Sequence, residues 1–310
     1  MQPIVLYHAA CTDGYGAAFS AWLSLGDDAD YVPVYHGRIQ TLEALERALP
    51  DLRGRDVYII DFSFTPELTR EIFRRARRTV WLDHHATSFE TWCSPGYLES
   101  VSEVYVEASQ DGRCSILLDN RKSGALLAWE HFFPGAPTPR LLAYVDDYDR
   151  QALALPKARE FNVSLLSQAP WSFPQWRQLV EDLGTHQGPS TPVFEMMLRE
   201  GTALRRSQAA LVASMTPDAQ AIRIPGWPDA GLALPCPSLL ANDVGEELVS
   251  RCGTYAVCWH MQDGVVKCSL RSQGEYNVEQ LAVLQGGGGH KNMAAFRVPL
   301  ETFATWLVRH

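Results

Sequence analysis

The sequence predicts an α/β protein with two domains. The first is expected to be a doubly wound, mostly parallel sheet, and the second a smaller α/β domain. Two observations support this: strand and helix patterns alternate up to residue 82, and strand patterns return after residue 219. A length of 310 residues also exceeds the roughly 250–300 residues that a single core usually supports.

Short apolar runs suited to buried strands alternate with helical patterns in the N-terminal part of the chain. Pro66 is well placed for the first turn of one of these helices. Such alternation is typical of a parallel sheet that is covered on both faces. Strands are predicted over residues 4–7, 31–35, 56–60 and 79–82, and helices over residues 14–25, 42–49 and 66–78.

The elements predicted after residue 82 indicate where the two domains begin and end. A turn signal at Gln110-Asp111-Gly112 predicts a hairpin over residues 101–118. The breaker-rich stretch THQGPSTP, residues 185–192, best fits a domain boundary. Further helices are predicted over 123–133, 140–145, 193–215 and 278–284, and strands over 221–224, 231–234, 255–261 and 265–271. We therefore predict an N-terminal domain over 1–188, a helical linker over 189–216 and a C-terminal domain over 217–310.

The composition is that of a globular protein, with 46% apolar and 20% charged residues. No apolar run reaches the ~18 residues of a membrane span. The opening MQPIVLYHAA lacks the basic and long apolar segments of a secretory signal. We expect a protein that does not contact membranes.

The cysteines and the net charge narrow the class of protein further. Seven cysteines, an odd number with no C-x-x-C pair, argue against a disulfide framework or zinc ribbon and favour the reducing cytoplasm. The formal net charge of −9 argues against non-specific binding to long duplex DNA. An anionic substrate would have to be held locally, by a few cations or by metal ions.

Acidic and imidazole side chains follow three of the predicted strands. His8 and Asp13 come after the first strand, Asp61 after the third, and Asp83, His84 and His85 after the fourth, within TVWLDHHAT. Ligands of open α/β sheets bind beyond the carboxyl ends of the strands. Each residue alone is best explained as a helix cap, but the three groups together indicate a functional site.

The residue types indicate the chemistry of such a site. Carboxylate and imidazole donors without thiol-rich spacing suit Mn²⁺ or Mg²⁺ better than structural zinc. Two such ions, about 3.5–4 Å apart, can clamp both oxygens of a phosphoryl displacement and ionise the attacking water. The sequence therefore predicts metal chemistry on a phosphate.

Several motifs, taken in order, resemble those of the DHH phosphoesterase superfamily. LDHHAT resembles its signature, HAACTDGYGAA its first motif, IIDFS its second and YVDDYDR its fourth. DNRKSGALLAWEHFFP resembles a stretch of one branch. LRSQGEYNVEQLA followed by GGGGHKNMAAF resembles the glycine-rich motif of the DHH-associated domain. The resemblance covers nearly the whole chain. It implies a metal-binding catalytic domain followed by a substrate-binding domain.

The resemblance also implies roles for individual residues of the first domain. His8 and Asp61 would bind one Mn²⁺ ion, and a second ion would share Asp61. The ligands of that second ion would be Asp13, Asp61, His84 and one acid of the fourth motif, either Asp147 or Asp149. The spacing does not decide between these two acids, and a solvated helix end is the alternative for each. Asp83 would orient the site, and His85 would hold a phosphate oxygen or the transition-state charge.

Cys11 departs from the family pattern, because many members carry Asp at this position. A thiolate is a softer ligand than a carboxylate and suits Mn²⁺ or Mg²⁺ poorly. The first metal site would then be weak, prefer Fe, Co or Zn, or fill only with substrate present. The alternative is a small buried side chain without a ligand role.

The second domain supplies candidate substrate contacts. The glycine run that includes Gly287, Gly288 and Gly289 allows backbone amides to surround an anion, beside His290. Arg271 can bind a phosphate bidentately, with Ser272 as a companion. A flexible linker is the alternative explanation of the glycine run. A surface salt bridge is the alternative for Arg271. Candidates for base stacking, or for core packing, are Tyr255, Trp259 and Tyr276.

The resemblance implies a metal-dependent phosphoesterase of the oligoribonuclease and pAp-phosphatase type. A metal-bound hydroxide would hydrolyse phosphodiester or phosphomonoester bonds of short oligonucleotides or nucleotides. The expected cofactor is one or two Mn²⁺ ions, with Mg²⁺, Co²⁺ or Fe²⁺ possible. The alternatives are an exopolyphosphatase, with polyphosphate as substrate, and a catalytically weak nucleotide-binding sensor. Homodimerisation is left open.

Overall fold

The computed structural model describes residues 1–35, 37–93 and 104–308, without the side chain of His290. The chain forms two compact units, residues 1–204 and residues 205 onward. Each unit contains a six-stranded sheet with helices packed against it. The predicted α/β class is therefore confirmed, including a mostly parallel sheet in the larger first unit and a second, smaller unit.

The sheet of the first unit has the strand order β2-β1-β3-β4-β6-β5. The first five strands in this order pair in parallel, and β5 pairs antiparallel with β6. The predicted hairpin is thus present, although residues 101–103 lie outside the described part of the chain. The strands are β1 (Ile4–His8), β2 (Asp30–Val34), β3 (Asp56–Ile60), β4 (Arg78–Asp83), β5 (Val104–Ala108) and β6 (Cys114–Asp119).

Helices cover both faces of this sheet, which explains why its central strands are apolar along their whole length. On one face, Ala17 and Leu127 pack over Val5 and its neighbours. On the other face, Leu45 and other helical residues pack against Ile4 and its neighbours. The helices are α1 (Thr12–Leu25), α2 (Leu42–Ala48), α3 (Pro66–Arg75), α4 (Ala86–Trp92) and α5 (Gly124–Phe132).

After the last strand of the first sheet and helix α5, the chain of the first unit forms a layer of four helices, α6 to α9. The stretch 185–192 lies inside this unit, because Arg140 donates hydrogen bonds to the carbonyls of Gly188 and Pro189. Met197, in the first half of the next helix, is buried in the core of this layer. The division between the two units falls within that helix, α9. The helices are α6 (Arg140–Asp149), α7 (Ala158–Ser167), α8 (Phe173–Leu183) and α9 (Pro192–Met215).

The sheet of the second unit has the order β11-β12-β10-β9-β8-β7 and is mostly antiparallel. The helix α10 (Ala241–Cys252) packs on one face. The helices α11 (Val278–Leu284) and α12 (Leu300–Trp306) pack on the other. The strands are β7 (Gln220–Ile222), β8 (Gly231–Pro235), β9 (Ala256–Gln262), β10 (Val265–Arg271), β11 (Gly288–His290) and β12 (Met293–Val298).

None of the helices in the described part of the chain is both long enough and apolar enough to cross a membrane.

Candidate metal centre

Three adjacent strands of the first sheet place acidic and imidazole side chains at one edge. His8 is the last residue of β1, Asp61 directly follows β3, and Asp83 is the last residue of β4. The chain runs from β1 outward to β2 and then returns to β3 on the other side of β1. Parallel α/β sheets bind ligands at such a switch in strand order, beyond the carboxyl ends of the strands.

Asp61 has an unusual backbone conformation at the end of β3. Its φ of 66° lies in the left-handed region, which is uncommon for a residue with a side chain. Its amide donates a 2.9 Å hydrogen bond to the carbonyl of Leu82 on β4. The side chain is only 1% exposed. The turn therefore directs a carboxylate into the protein.

Three carboxylates surround a single nitrogen of His84. The Nε2 atom lies 3.1 Å from Oδ1 of Asp61, and 3.5 Å from Oδ2 of both Asp13 and Asp149. His84 is only 4% exposed. Burial alone would lower the pKa of His84, but the hydrogen bond to Asp61 and the charge of Asp149 raise it to about 10.

The same crowding shifts the pKa values of the acids. Burial and the charge of Asp61 raise the pKa of Asp13 well above its ordinary value, and they also raise the pKa of Asp149. Burial would likewise raise the pKa of Asp61, but its hydrogen bonds to His8 and His84 hold it well below that value. Ionising all three carboxyl groups beside His84 is therefore unfavourable without a further cation.

A second group of donors adjoins the first through Asp61. Oδ2 of Asp61 lies 3.4 Å from Nδ1 of His8 and 3.6 Å from Sγ of Cys11. The Cys11 sulfur also lies 3.5 Å from Nδ1 of His8. The three donor atoms can reach one ion. Burial raises the pKa of the Cys11 thiol to about 11, so the free thiol stays protonated.

Cys11 also caps helix α1. Its sulfur accepts a 3.2 Å hydrogen bond from the amide of Gly14. A Cβ atom on Gly14 would lie 2.1 Å from the carbonyl oxygen of His8, so only glycine fits against the end of β1. The C-T-D-G sequence is therefore a tight strand-to-helix connection that places Cys11 and Asp13 beside His8.

Asp13 is fixed by the start of helix α5. Its two carboxylate oxygens accept hydrogen bonds of 2.8 Å from the amides of Gly124 and Ala125. Gly124 also lies against Asp61, where an added Cβ would be 2.4 Å from the Asp61 Cβ. Each carboxylate oxygen has two lone pairs, so both acids keep a position for a metal.

His85 and Asp83 form a pair beside the cluster. Asp83 is buried, and its Oδ1 lies 2.8 Å from Nδ1 of His85 and accepts a 2.8 Å hydrogen bond from the amide of His84. Ser88 donates to its Oδ2. Burial would raise the pKa of Asp83, but the neighbouring His85 brings it below its ordinary value. His85 itself is 24% exposed, so its imidazole, which Asp83 orients, is accessible to a ligand from solvent.

The two candidate acids of α6 have different surroundings. Asp147 is 4% exposed, and its oxygens accept hydrogen bonds of 2.9 and 3.0 Å from the amides of Ala154 and Leu155. Asp149 faces His84 and belongs to a group of donors, with Asp13 and His84, that can reach one ion. Asp149 therefore lies with the other donors, whereas Asp147 stabilises the loop after α6.

The predicted substrate residues of the second unit are more engaged in structure than the sequence suggested. Arg271 ends β10, and its Nε and Nη2 donate to Oδ1 of Asn242 at 2.8 and 2.6 Å. The Ser272 hydroxyl donates to the carbonyl of Tyr276 at 2.6 Å and accepts from the side-chain Nδ2 of Asn292 at 2.9 Å. Ser272 therefore stabilises a turn.

The glycine run does not form a separate loop. Gly288 and Gly289 belong to β11 and pair with Ala295 and Ala294. A Cβ on Gly287 would lie 2.1 Å from the carbonyl oxygen of Ala295, so this glycine is needed for strand packing. His290 also belongs to β11, and its side chain lies outside the described structure.

Of the three aromatic candidates for base stacking, Tyr255 belongs to the core of the second unit, and Trp259 and Tyr276 pack against it. Tyr255 is fully buried and stacks on Tyr276 with the ring centroids 6.2 Å apart. Trp259 packs against Phe303 at 4.9 Å. The core-packing alternative therefore describes these residues.

Gly124, Ser123 and Asp146 support the site, and we did not single them out in the sequence. Asp146 accepts a 2.7 Å hydrogen bond from the amide of Ser123 and binds Arg150 through both oxygens. Ser123 caps α5 and so fixes the amides that hold Asp13. The K-S-G-A sequence carries a signal for this, since Ser followed by Gly before an apolar run is typical of a helix start.

The donors fit a divalent metal ion. Buried carboxylates in excess of their imidazole partners are costly unless a cation compensates them. Oxygen and imidazole donors suit Mn²⁺ and its neighbours, whereas the thiol of Cys11 adds one softer donor. The fold and the site thus define a two-unit α/β protein with a buried site that can hold divalent metal.

No protein-family model matches the sequence. One curated relative, the uncharacterized protein R106 of Acanthamoeba polyphaga mimivirus, is 26% identical over 303 residues. The match covers 93% of this chain but spans only 66% of the length of that relative.

Three solved structures resemble the chain at low sequence identity. An uncharacterized protein of Helicobacter pylori G27 has a TM-score of 0.44 and 13% identity, with 96% of this chain and 93% of that chain covered. A pGpG-specific phosphodiesterase of Vibrio cholerae has a TM-score of 0.46 and 15% identity, with 98% and 96% covered. An exopolyphosphatase-related protein of Bacteroides fragilis has a TM-score of 0.44 and 11% identity, with 97% and 88% covered.

Proposed function

We propose that the protein is a metal-dependent phosphoesterase of the DHH superfamily that hydrolyses short oligonucleotides or nucleotides. The observation that carries the proposal is the shared position of Asp61 between two groups of donors. One group is His8, Cys11 and Asp61, and the other surrounds Nε2 of His84. Adjoining groups that share one carboxylate are suited to a pair of divalent ions.

Asp13, Asp61, His84 and Asp149 would hold one ion, and His8, Asp61 and Cys11 the other. Bound divalent ions would polarise a phosphoryl oxygen and lower the pKa of water at the site. Phosphoryl transfer depends mainly on positioning and on stabilising charge, and this chain provides a rigid, buried arrangement for both.

His85 is the residue of the chain best suited to contact the phosphate. Its Nδ1 is held by Asp83, which fixes the orientation of the ring. The ring lies 6.0 Å from that of His8, measured between centroids. His85 would donate a hydrogen bond to a phosphate oxygen and stabilise the charge that develops there. Asp83 would act through His85 rather than on the substrate.

The charge of the whole protein favours a short substrate. The formal net charge is −9, so a long polyanion would be repelled by most of the surface. A short substrate needs only a few local cations in addition to the metal. Nucleotides and short oligonucleotides satisfy this condition.

The test is parallel hydrolysis of a short RNA, pAp, a cyclic dinucleotide and polyphosphate, with Mn²⁺ and with chelator. Wild type would be compared with Asp61→Asn and with Asp56→Asn. Asp56 is a partly buried acid at the start of β3, the opposite end of the strand that Asp61 follows, and its oxygens bind Arg77. We expect Mn²⁺-dependent release of mononucleotides that is lost in Asp61→Asn and kept in Asp56→Asn.

Two outcomes would contradict the proposal. Phosphate release from polyphosphate alone would identify an exopolyphosphatase. Nucleotide binding without turnover with any divalent metal would identify a sensor.

A further inference from the structure

Several aromatic side chains lie together beside the candidate metal centre, within the first unit. Tyr7 precedes His8 in β1, and Tyr15 lies about one turn of α1 after Cys11. Tyr7 faces α1, where its ring centroid is 6.4 Å from that of Tyr15. The ring of Trp171 lies 5.3 Å from that of Tyr15, so the three rings form one continuous group.

The edge strand β2 adds two exposed rings to this group. Tyr7 lies opposite Pro33 in the strand register, and Tyr35 follows the last residue of β2. Pro33 is exposed, and Tyr35 is 48% exposed. Burial and then the nearby Tyr35 raise the pKa of Tyr7, so the two phenols are neighbours. We call Tyr7, Tyr15, Pro33, Tyr35 and Trp171 the aromatic surface.

The phenol hydroxyls of the aromatic surface are open to solvent. Among the described residues, the hydroxyls of Tyr7, Tyr15 and Tyr35 have no hydrogen-bond partner, and none of the three is enclosed in the protein. Tyrosines that serve packing usually bond their hydroxyl within the protein, as the neighbouring Tyr31 does to the carbonyl of Gly26. Ring faces with open hydroxyls suit a flat ligand that has its own hydrogen-bonding groups.

We propose that the aromatic surface binds the nucleobase of the substrate and so makes the protein select nucleotides over polyphosphate. The proposal rests on the proposed function, because it takes the phosphate of the nucleotide to lie at the metal centre. A base is joined to its phosphate through one ribose, and the aromatic surface directly adjoins the donors His8 and Cys11. Bases stack on aromatic rings, and phenols hydrogen-bond to their edges.

A base fits this surface better than other ligands do. Arg38 lies over the ring of Tyr35, 5.3 Å from its centroid, and an arginine beside an aromatic ring extends a stacking surface. Polyphosphate has no ring and would gain nothing from the phenols. A stable protein interface buries about 800 Å² on each partner, which is more than five partly exposed side chains provide.

The test compares two ligands that differ only in the base. The probes are the methylenephosphonate analogues of AMP and of ribose 5-phosphate, whose P–C bond a phosphoesterase does not hydrolyse. Binding to the full chain is measured by calorimetry with Mn²⁺. The variants are Tyr35→Ala, Tyr35→Phe, Tyr7→Leu and, as a matched control, Tyr105→Leu. Tyr105 lies on β5, at the opposite edge of the same sheet.

We expect wild type to bind the AMP analogue at least about tenfold more tightly than the ribose analogue, because stacking on a ring stabilises a bound base. Tyr35→Ala and Tyr7→Leu should each lose most of this difference and bind the ribose analogue unchanged. Tyr35→Phe, which keeps the ring, and Tyr105→Leu should bind like wild type. With a hydrolysable dinucleotide, Tyr35→Ala should raise KM and keep kcat. Thermal melting checks that each variant is folded.

Three results would overturn the proposal. One is equal binding of the two analogues by wild type. Another is an equal loss of both analogues in Tyr35→Ala and Tyr7→Leu, which would indicate damage to the metal centre. A third is a change from dimer to monomer in Tyr35→Ala, seen by ultracentrifugation, which would assign the surface to a second copy of the chain.

The same experiment separates this proposal from the proposed function. If the base strengthens binding as expected but no substrate is hydrolysed with any metal, the proposed function fails and the base site stands. If nucleotides are hydrolysed while the two analogues bind alike, the function stands and the base site fails.

Discussion

The Nε2 atom of His84 lies 3.5 Å from a carboxylate oxygen of Asp149, whereas Asp147 binds the backbone amides of the following loop. Both acids belong to helix α6. Residues two apart on a helix point in different directions, because each residue turns the chain by about 100°. The two acids therefore have separable environments, one beside His84 and one in the loop.

Asn substitutions at these two positions should affect different properties, metal affinity for Asp149 and stability for Asp147. We expect Asp149→Asn to lower metal affinity by at least about tenfold, because it removes a charged donor. The metal-free Asp149→Asn protein should not lose stability, because the substitution removes one of several like-charged carboxylates from the cluster. Asp147→Asn should lower the free energy of unfolding by about 1–3 kcal/mol and leave metal affinity unchanged. Calorimetry with Mn²⁺ and chemical denaturation measure the two effects, and a loss of metal affinity in Asp147→Asn alone would refute this assignment.

Gly124→Ala should damage the metal site without touching a donor. The added Cβ would lie 2.4 Å from the Asp61 Cβ, so either Asp61 or the start of α5 must move. We expect metal affinity to fall by about 10–100-fold, as for other residues that orient ligands.

Gly245→Ala is the matched control for this substitution. Its Cβ would lie 2.4 Å from Cγ of Arg271, which belongs to the second unit. We expect unchanged metal affinity, because Gly245 and Arg271 both belong to the second unit. Wild-type metal affinity in Gly124→Ala would show that the contact with Asp61 relaxes at no cost.

Cys11 should affect which metal binds. We expect Co²⁺ to produce a near-ultraviolet thiolate charge-transfer band in wild type. Cys11→Ser should lose the band but keep the helix cap, because serine is a good N-cap. Cys114→Ser is the control, since Cys114 is similarly exposed on β6 and lies in none of the metal-ligand groups among the described residues.

Cys11→Asp should move the preference toward harder ions. The carboxylate matches Mn²⁺ and Mg²⁺ better than the thiolate does, so the ratio of Mn²⁺ to Co²⁺ affinity should rise. Competition titrations give this ratio. A wild type without the charge-transfer band, and with the same ratio as Cys11→Asp, would mean that the sulfur does not bind metal.

Metal binding should release protons near neutral pH. The pKa of His84 is about 10, so the metal-free protein holds a proton there that the ion must displace. Metal affinity should therefore rise with pH, by about tenfold per unit, and level off above about pH 10. Calorimetry in buffers of different ionisation enthalpy counts the protons, and we expect at least one. Proton release that is the same in wild type and His84→Gln would contradict this origin.

The sequence was sufficient to predict the edge of the sheet that carries the site. His8, Asp61 and Asp83 could be placed because buried parallel strands are short, apolar and end abruptly. Their alternation with helices predicts that these strands are parallel, so that their carboxyl ends lie at one edge, whereas the order that makes β1, β3 and β4 neighbours is seen only in the structure. The predicted features depend on local patterns, and they agree with the structure.

Other features of the fold and of the site depend on contacts between residues that are distant in sequence, and these could not be predicted. Helix α6 was predicted to end at residue 145 but continues to Asp149, and only its packing shows which acid faces His84. The glycine run read as a loop, yet Gly288 and Gly289 pair with β12. Local sequence does not reveal a partner strand. Gly124 could not be identified because its role comes from the nearby Asp61.

The hydrogen bonds that the amides of Gly124 and Ala125 donate to Asp13 join two helices through the site. Helices α1 and α5 pack together, and a Cβ on Gly16 would lie 2.9 Å from Cβ of Ala125. The spacing between these helices therefore sets the separation of Asp13 from the other donors. Variants selected for a better-packed core at this contact would change the ion that the protein accepts, although no ligand had been altered.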